Sequence, residues 1–212
     1  MTITPLILGE QRVVLNNINW QLFESLLSAM GENRASRLAY DQGTLEIMSP
    51  LMPHENTKRL IEKLIDILVL ELKLNIKSVG SMTCKRKDLE RGIEPDSGFY
   101  IQNESLVRRK RELDLTQDPP PDLMLEVDFT SSSLDKEPIY RALGVSEVWR
   151  YAGGKLTIKR LQQDGYKSLS YSPTFANLPL TEIPRFLEQS EEIGEVQMLL
   201  AFQAWVREQR QN

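Results

Sequence analysis

The sequence predicts an α/β fold of the α+β kind: a mixed central sheet flanked by helices, with a helical extension at the C-terminus. Three observations carry this. Leu60, Ile61, Leu64, Ile65, Leu68 and Leu72 recur at spacings of three and four, so His54 to Leu74 reads as a helix with one apolar face. Short apolar runs bounded by glycine, proline and aspartate lie on both sides of it, as strands and turns do. Leu123 to Asp128 is such a run broken by acids, and Pro138 fixes where the helix after it can begin, because proline is tolerated only in a first turn.

Each element follows in order. Asn17 is the expected N-cap of a helix over Trp20 to Met30, closed by Gly31. Ser36 to Tyr40 and Thr44 to Met48 form a hairpin around Asp41-Gln42-Gly43. After the long helix, Ile76 to Lys85 reads as one strand on the same sheet with a bulge at Gly80. Pro95 interrupts the next run, placing Asp96 at a turn or strand start ahead of a strand over Ser97 to Ile101. Gln102 to Gln117 is a long polar loop. Asp135 is the expected N-cap after the central strand, which puts Lys136 in the helix's first turn, on the face of Tyr140. Gly144 ends that helix, Glu147 to Tyr151 and Lys155 to Leu161 pair across Gly153-Gly154, and Tyr166 to Tyr171 adds a strand. In the tail, Pro184 to Glu188 suits a short helix and Glu191 to Arg210 a longer one, its stripe Val196, Leu199, Leu200, Trp205 and Val206 facing the core. The whole is expected to be one domain, with a core over about 13–171 and the extension over about 172–212.

Composition narrows the function. The chain has 212 residues and a net charge of −4, which argues against a general polyanion binder while allowing a local basic groove. The single Cys84 excludes an intramolecular disulfide and fits a reducing compartment. Thr2 to Leu8 is short and lacks a basic start, and the longest apolar run contains Asp66, Glu71 and Lys73. Neither an export signal nor a membrane span is expected, and the cytoplasm is the expected location. No protein partner is evident from the sequence.

Pro95-Asp96, Glu126-Val127-Asp128 and Lys136 match the two-acids-and-a-lysine pattern of the PD-(D/E)XK nucleases. Within that superfamily the chain resembles the Uma-two family of restriction-endonuclease-like proteins. The phrases that carry the resemblance are Met48-Ser49-Pro50 with His54-Glu55, Gly92-Ile93-Glu94-Pro95-Asp96, Pro121-Asp122-Leu123 with Glu126-Val127, and Ser131 to Ser133 with Asp135-Lys136, Tyr140 and Gly144-Val145 through Trp149. They span roughly Val13 to Leu161. The superfamily's lysine normally lies two residues after the second acid; here Asp128 stands there, and by motif Lys136 fills the role.

The resemblance implies a metal-dependent endonuclease acting on DNA, with Asp96, Glu126 and Lys136 as catalytic residues. Two carboxylates at about 4 Å repel by roughly 4 kcal/mol at an effective dielectric near 20, so one takes a proton or a cation lies between them. Mg²⁺ or Mn²⁺ suits such oxygens, held by Asp96, Glu126 and the Val127 carbonyl. Glu55 and Asp128 are additional candidate acids, since Asp128 alternates in phase with Glu126. Tyr140 and the cluster Arg108, Arg109, Lys110 and Arg111 are candidate nucleic-acid contacts, and a homodimer is expected by analogy.

Plainer accounts stand beside these. Asp96 can be a turn residue after proline, Glu126 a strand-end acid paired with a base, Lys136 a solvated first-turn lysine, Asp128 a loop acid, Glu55 a glutamate favoured by the helix dipole, and the arginine cluster a solvated loop. His54 reads as a first-turn residue rather than a metal ligand, and Ser131 to Ser133 lack a base partner. The rival functions are a catalytically silent nucleic-acid-binding or interaction protein that keeps the fold, and, more weakly, a two-carboxylate hydrolase such as a glycosidase.

Overall fold

The structure, a computed structural model, describes residues 10–31, 34–130 and 134–211. Ser131 to Ser133 lie outside the described residues. The elements in chain order are β1 Glu10–Leu15, α1 Trp20–Met30, β2 Arg37–Asp41, β3 Thr44–Pro50, α2 Met52–Leu72, β4 Lys77–Gly80, β5 Cys84–Arg86, β6 Arg91–Ile93, β7 Ser97–Tyr100, α3 Glu104–Val107, β8 Leu123–Asp128, α4 Glu137–Leu143, β9 Glu147–Ala152, β10 Lys155–Gln162, β11 Gly165–Leu169, α5 Ile183–Ile193 and α6 Glu195–Gln209. The fold is mixed α/β as the sequence predicts. Among the described residues it has two sheets rather than one.

The larger sheet runs β11-β10-β9-β8-β7-β4. Its neighbours pair antiparallel except β8 and β9, which are parallel and joined through α4. The smaller sheet runs β1-β3-β2-β6-β5 and is antiparallel throughout. The segment expected as one strand over Ile76 to Lys85 supplies one strand to each sheet. Gly80 has φ +53 and marks a register shift against β7; a left-handed residue there turns the chain out of one sheet and into the other.

Leu60, Ile61, Leu64, Ile65, Leu68 and Val69 of α2 pack on Phe99, Leu123, Leu125, Val127 and Trp149. Burying these six helix side chains contributes roughly 9–18 kcal/mol of transfer free energy. The other side of α2 is covered by α5 and α6 through Phe186, Met198, Phe202 and Val206. Of the stripe expected on the last helix, Val206 is buried while Val196 and Leu200 are 66% and 54% exposed. Gly194, with φ +82, separates α5 from α6, and the inward positions of α6 are Met198, Phe202 and Val206, four apart. α5 is correspondingly longer than the short helix expected there.

Smaller differences concern caps and loops. Asn19, not Asn17, caps α1: its Oδ1 accepts from Leu22 N at 2.9 Å. The long polar loop contains the one-turn helix α3. Among the described residues, no helix is long and apolar enough to cross a membrane.

Candidate active site

Strand β8 sends alternate side chains to opposite faces. Leu123, Leu125 and Val127 enter the core beneath α2, whereas Met124 packs with Ile139, Tyr140 and Leu143 of α4. Glu126 and Asp128 share Met124's face. Both line a cavity of about 340 Å³ together with Lys136, Tyr140, Arg150 and Lys159.

Helix α4 begins at Glu137, so Lys136 occupies the N-cap position and not the first turn. Asp135 Oδ1 accepts from Glu137 N at 3.1 Å, making the turn one residue earlier than a regular cap would. Lys136 points inward: its Nζ lies 2.5 Å from Glu126 Oε2, and its side chain is 13% exposed. The solvated alternative for this lysine is therefore ruled out. The Tyr140 hydroxyl donates to Glu126 Oε1 from within the core. Tyr140 is thus a buried partner of Glu126, enclosed rather than presented to a nucleic-acid backbone.

Asp96 immediately precedes β7 and is fully buried. Its Oδ2 accepts from Val127 N at 2.7 Å. The β7–β8 register pairs Ser97 with Leu125; continued two steps further, it sets Asp96 opposite Glu126 and then Pro95 opposite Val127. Proline has no N–H, so the ladder supplies no donor to the Val127 carbonyl from that edge. Asp96 Oδ1 makes no hydrogen bond; Arg37 Nη1 lies 3.3 Å from it. His54 Nε2 lies 3.2 Å from Asp96 Oδ2, close enough for attraction without the alignment of a hydrogen bond.

The two acids titrate in opposite directions. Burial is the chief reason the Glu126 carboxyl lies above its usual 4.5; Lys136 opposes this, while Asp96 and Asp128 add to it. Burial also pushes Asp96 up, but His54, Arg37 and Lys136 outweigh it and hold the carboxyl below its usual 3.8. For Lys136, burial favours the neutral amine, yet Glu126, Asp96 and Asp128 together keep the ammonium bound above 10.5. Paired carboxyls driven apart in this way are a hallmark of acid–base or metal chemistry.

The remaining candidates divide. Asp128 is not a free loop acid: Oδ1 accepts from Arg12 at 2.5 Å and Oδ2 from Arg150 at 2.6 Å. Glu55, in the first turn of α2, accepts from Arg37 at 2.7 Å and pairs with Lys58 at 2.9 Å. Burial raises its carboxyl, but those two cations hold it below its ordinary value. Arg108 is bound through two bonds to Glu104, and Lys110 pairs with Asp118. Arg109 and Arg111 form no ion pair among the described residues. Lys110 and Arg111 line a second, wider groove of about 1020 Å³, which also reaches Arg37 and Glu55.

Arg37 and Arg12, which the sequence reading passed over, and His54, which it read only as a first-turn residue, complete the site. Arg37 joins Asp96 to Glu55. His54 is fully buried among acids, with Glu10 Oε2 3.8 Å from its Nε2. Arg12 pairs with Glu10, Glu46 and Asp128 at 2.9, 2.6 and 2.5 Å. A charge inside an otherwise apolar strand, Arg37-Leu38-Ala39-Tyr40, was the available signal for the first. Among the described residues, no group of three or more His, Cys, Asp or Glu is arranged to hold a metal ion. The oxygens of Asp96, whose Oδ1 is unbonded, of Glu126 and of the Val127 carbonyl are hard donors, the kind that suits Mg²⁺ or Mn²⁺ because such ions retain several waters.

Residues 20–190 match the model of the family Uma2, described as "Putative restriction endonuclease". No curated protein matches. Among solved structures, the crystal structure of "a putative nuclease belonging to DUF820" from Anabaena variabilis ATCC 29413 aligns with a TM-score of 0.50 at 14% identity, over 86% of this chain and 99% of that one. At that identity the likeness is one of fold.

Proposed function

The chain belongs to the Uma2 family, and from that premise we propose that it is a divalent-metal-dependent endonuclease hydrolysing phosphodiester bonds in DNA. One observation supports the reading: Asp96 accepts from the amide of Val127, the residue after Glu126, and a lysine bonds Glu126 directly. Asp96, Glu126 and the Val127 carbonyl would hold the ion. When bound, Mg²⁺ or Mn²⁺ supplies an activated water and offsets charge on the scissile phosphate. Lys136 holds Glu126 in place, and its ammonium counters negative charge developing on the phosphate. Tyr140 fixes the other Glu126 oxygen. Arg109 and Arg111 are the members of the basic cluster left to meet a DNA backbone, and the cytoplasm is the compartment this reading implies.

The test is cleavage. Purified protein with Mg²⁺ or Mn²⁺ should nick plasmid DNA, and Asp96→Ala or Glu126→Ala should abolish nicking. A folded, metal-supplied protein that cuts nothing across a panel of DNA and RNA substrates overturns the proposal. Dimerisation belongs to it as well, because a two-fold enzyme can place one site on each strand. Sedimentation showing only monomer at micromolar concentration removes that part.

A second reading has its own support. Asp128 stands where the superfamily carries its lysine, and both Glu126 oxygens are already bonded, by Lys136 and Tyr140. These favour a catalytically silent module that binds nucleic acid or a partner. Calorimetry separates the two, since a silent module shows no metal binding that depends on Asp96.

A further inference from the structure

The two oxygens of Asp96 have unequal surroundings. Oδ2 accepts from Val127 N and has His54 beside it, whereas Oδ1 is buried, unbonded, and faces Arg37 Nη1 at 3.3 Å. Arg37 is itself incompletely held. Its Nη2 donates to Glu55 at 2.7 Å, but its Nε and Nη1 are buried without an acceptor. A guanidinium with unfilled donors in the interior is costly, and here the charges on Asp96 and Glu55 compensate it. Its anchor, Glu55, has a side chain 43% exposed and shares itself with Lys58. On the side away from Asp96, Arg37 lines the 1020 Å³ groove with Arg34, Lys77, Lys110 and Arg111, so there is space for the side chain to move.

We propose that Arg37 is the resident counter-cation of the acid pair, occupying Asp96 Oδ1 until a divalent ion replaces it and the guanidinium turns out into the groove. The inference rests on the metal-binding reading above. A divalent ion on Asp96 and a guanidinium 3.3 Å from the same oxygen repel, so the two occupy the position in turn. The exchange conserves the logic of the site: Asp96 stays ionised with a cation against it in both states. Arg37 is a positioning residue here; it acts on the acid and makes no contact with the reacting atoms. In the turned-out position its unfilled donors face the groove, where they gain water or an anion as partners.

The experiment is Mn²⁺ titration of the full-length protein by calorimetry. Arg37→Gln should bind Mn²⁺ at least about tenfold more tightly than wild type, since one competing charge is gone, and Asp96→Asn should lose binding. Added Mn²⁺ should also raise the melting temperature of Arg37→Gln by more than it raises that of wild type. Should Arg37→Gln fail to fold, the wild-type protein still decides the matter: with arginine side chains labelled with ¹⁵N and Arg37 assigned through Arg37→Lys, the buried Nε–H resonance should join the solvent-exposed set on adding Mg²⁺. Equal or weaker Mn²⁺ affinity in folded Arg37→Gln, or an Arg37 resonance unmoved by Mg²⁺ that demonstrably binds, overturns the exchange while leaving the nuclease reading standing. A wild-type protein that binds neither ion with any dependence on Asp96 is the failure of the metal reading itself, and takes this inference with it.

Discussion

Lys136 and Glu126 form a buried ion pair whose worth depends on pH. Glu126 binds its proton more tightly in the folded chain than in the unfolded one, where its value is the ordinary 4.5. Its ionisation therefore costs nothing below that value, and the cost grows as pH rises from 4.5 through the folded-state value. Removing the ammonium raises that folded-state value further. Lys136→Met should accordingly destabilise the protein more at about pH 8 than at about pH 5, with a loss of about 3–5 kcal/mol at the higher pH. Urea titrations at both pH values measure this, and equal losses would sink the coupling. Asp96 has the opposite sign: its carboxyl is held below 3.8, so its contribution is present above that value and disappears as pH falls through the lower folded-state value. Tyr140→Phe removes a buried donor to Glu126 and should cost about 1–3 kcal/mol without loss of fold, read from the same titrations. An unchanged midpoint would show that the bond contributes nothing to stability.

Among the elements, β6 delivers Asp96 to the site, and Gly92 at its centre is there for space. A Cβ at Gly92 would lie 2.7 Å from Phe23 Cζ and 2.8 Å from Cε1. Phe23 cannot retreat, because its ring is fully buried and stacked on Tyr40 with centroids 4.9 Å apart. Gly92→Ala should lower stability by about 1–3 kcal/mol through overpacking. Differential scanning calorimetry would register the change, and an undiminished melting temperature would contradict it. Strand β8 shows what alternation can disclose: the period of two that sends Leu123, Leu125 and Val127 to α2 also sends Glu126 and Asp128 to α4. Helix α6 shows where periodicity misleads, since the expected apolar stripe names Val196 and Leu200, which face outward.

For the whole molecule, α5 and α6 are not an accessory. Phe186, Met198, Phe202 and Val206 belong to the same core as α2 and β8. Ending the chain after Glu182 should expose that face of α2, abolish cooperative unfolding and bring on binding of a hydrophobic dye. A truncated chain that melts like the intact one would show that the two helices add nothing to the core. The smaller sheet has a comparable role at the site. Through β1 and β2 it supplies Arg12 and Arg37, and the segment leading from β6 supplies Asp96, so the site lies where the two sheets meet.

What the amino-acid order determined alone is local: the long amphipathic α2, the hairpin of β2 and β3, the buried acid-bearing β8, and the acids at positions 96 and 126 with the lysine that follows. Each leaves its mark within a few residues, as a period, a turn or a proline. The division into two sheets, the burial of Arg12 and Arg37, and the placing of His54 against Asp96 were decided by tertiary structure. A charged residue in a strand reads as solvent-facing until the partner carboxylate is known, and here those partners lie distant in sequence: Arg12 to Asp128, and Arg37 to Asp96. Ion pairing between remote segments has no periodicity to betray it, so only the folded chain can reveal which charges it brings inside.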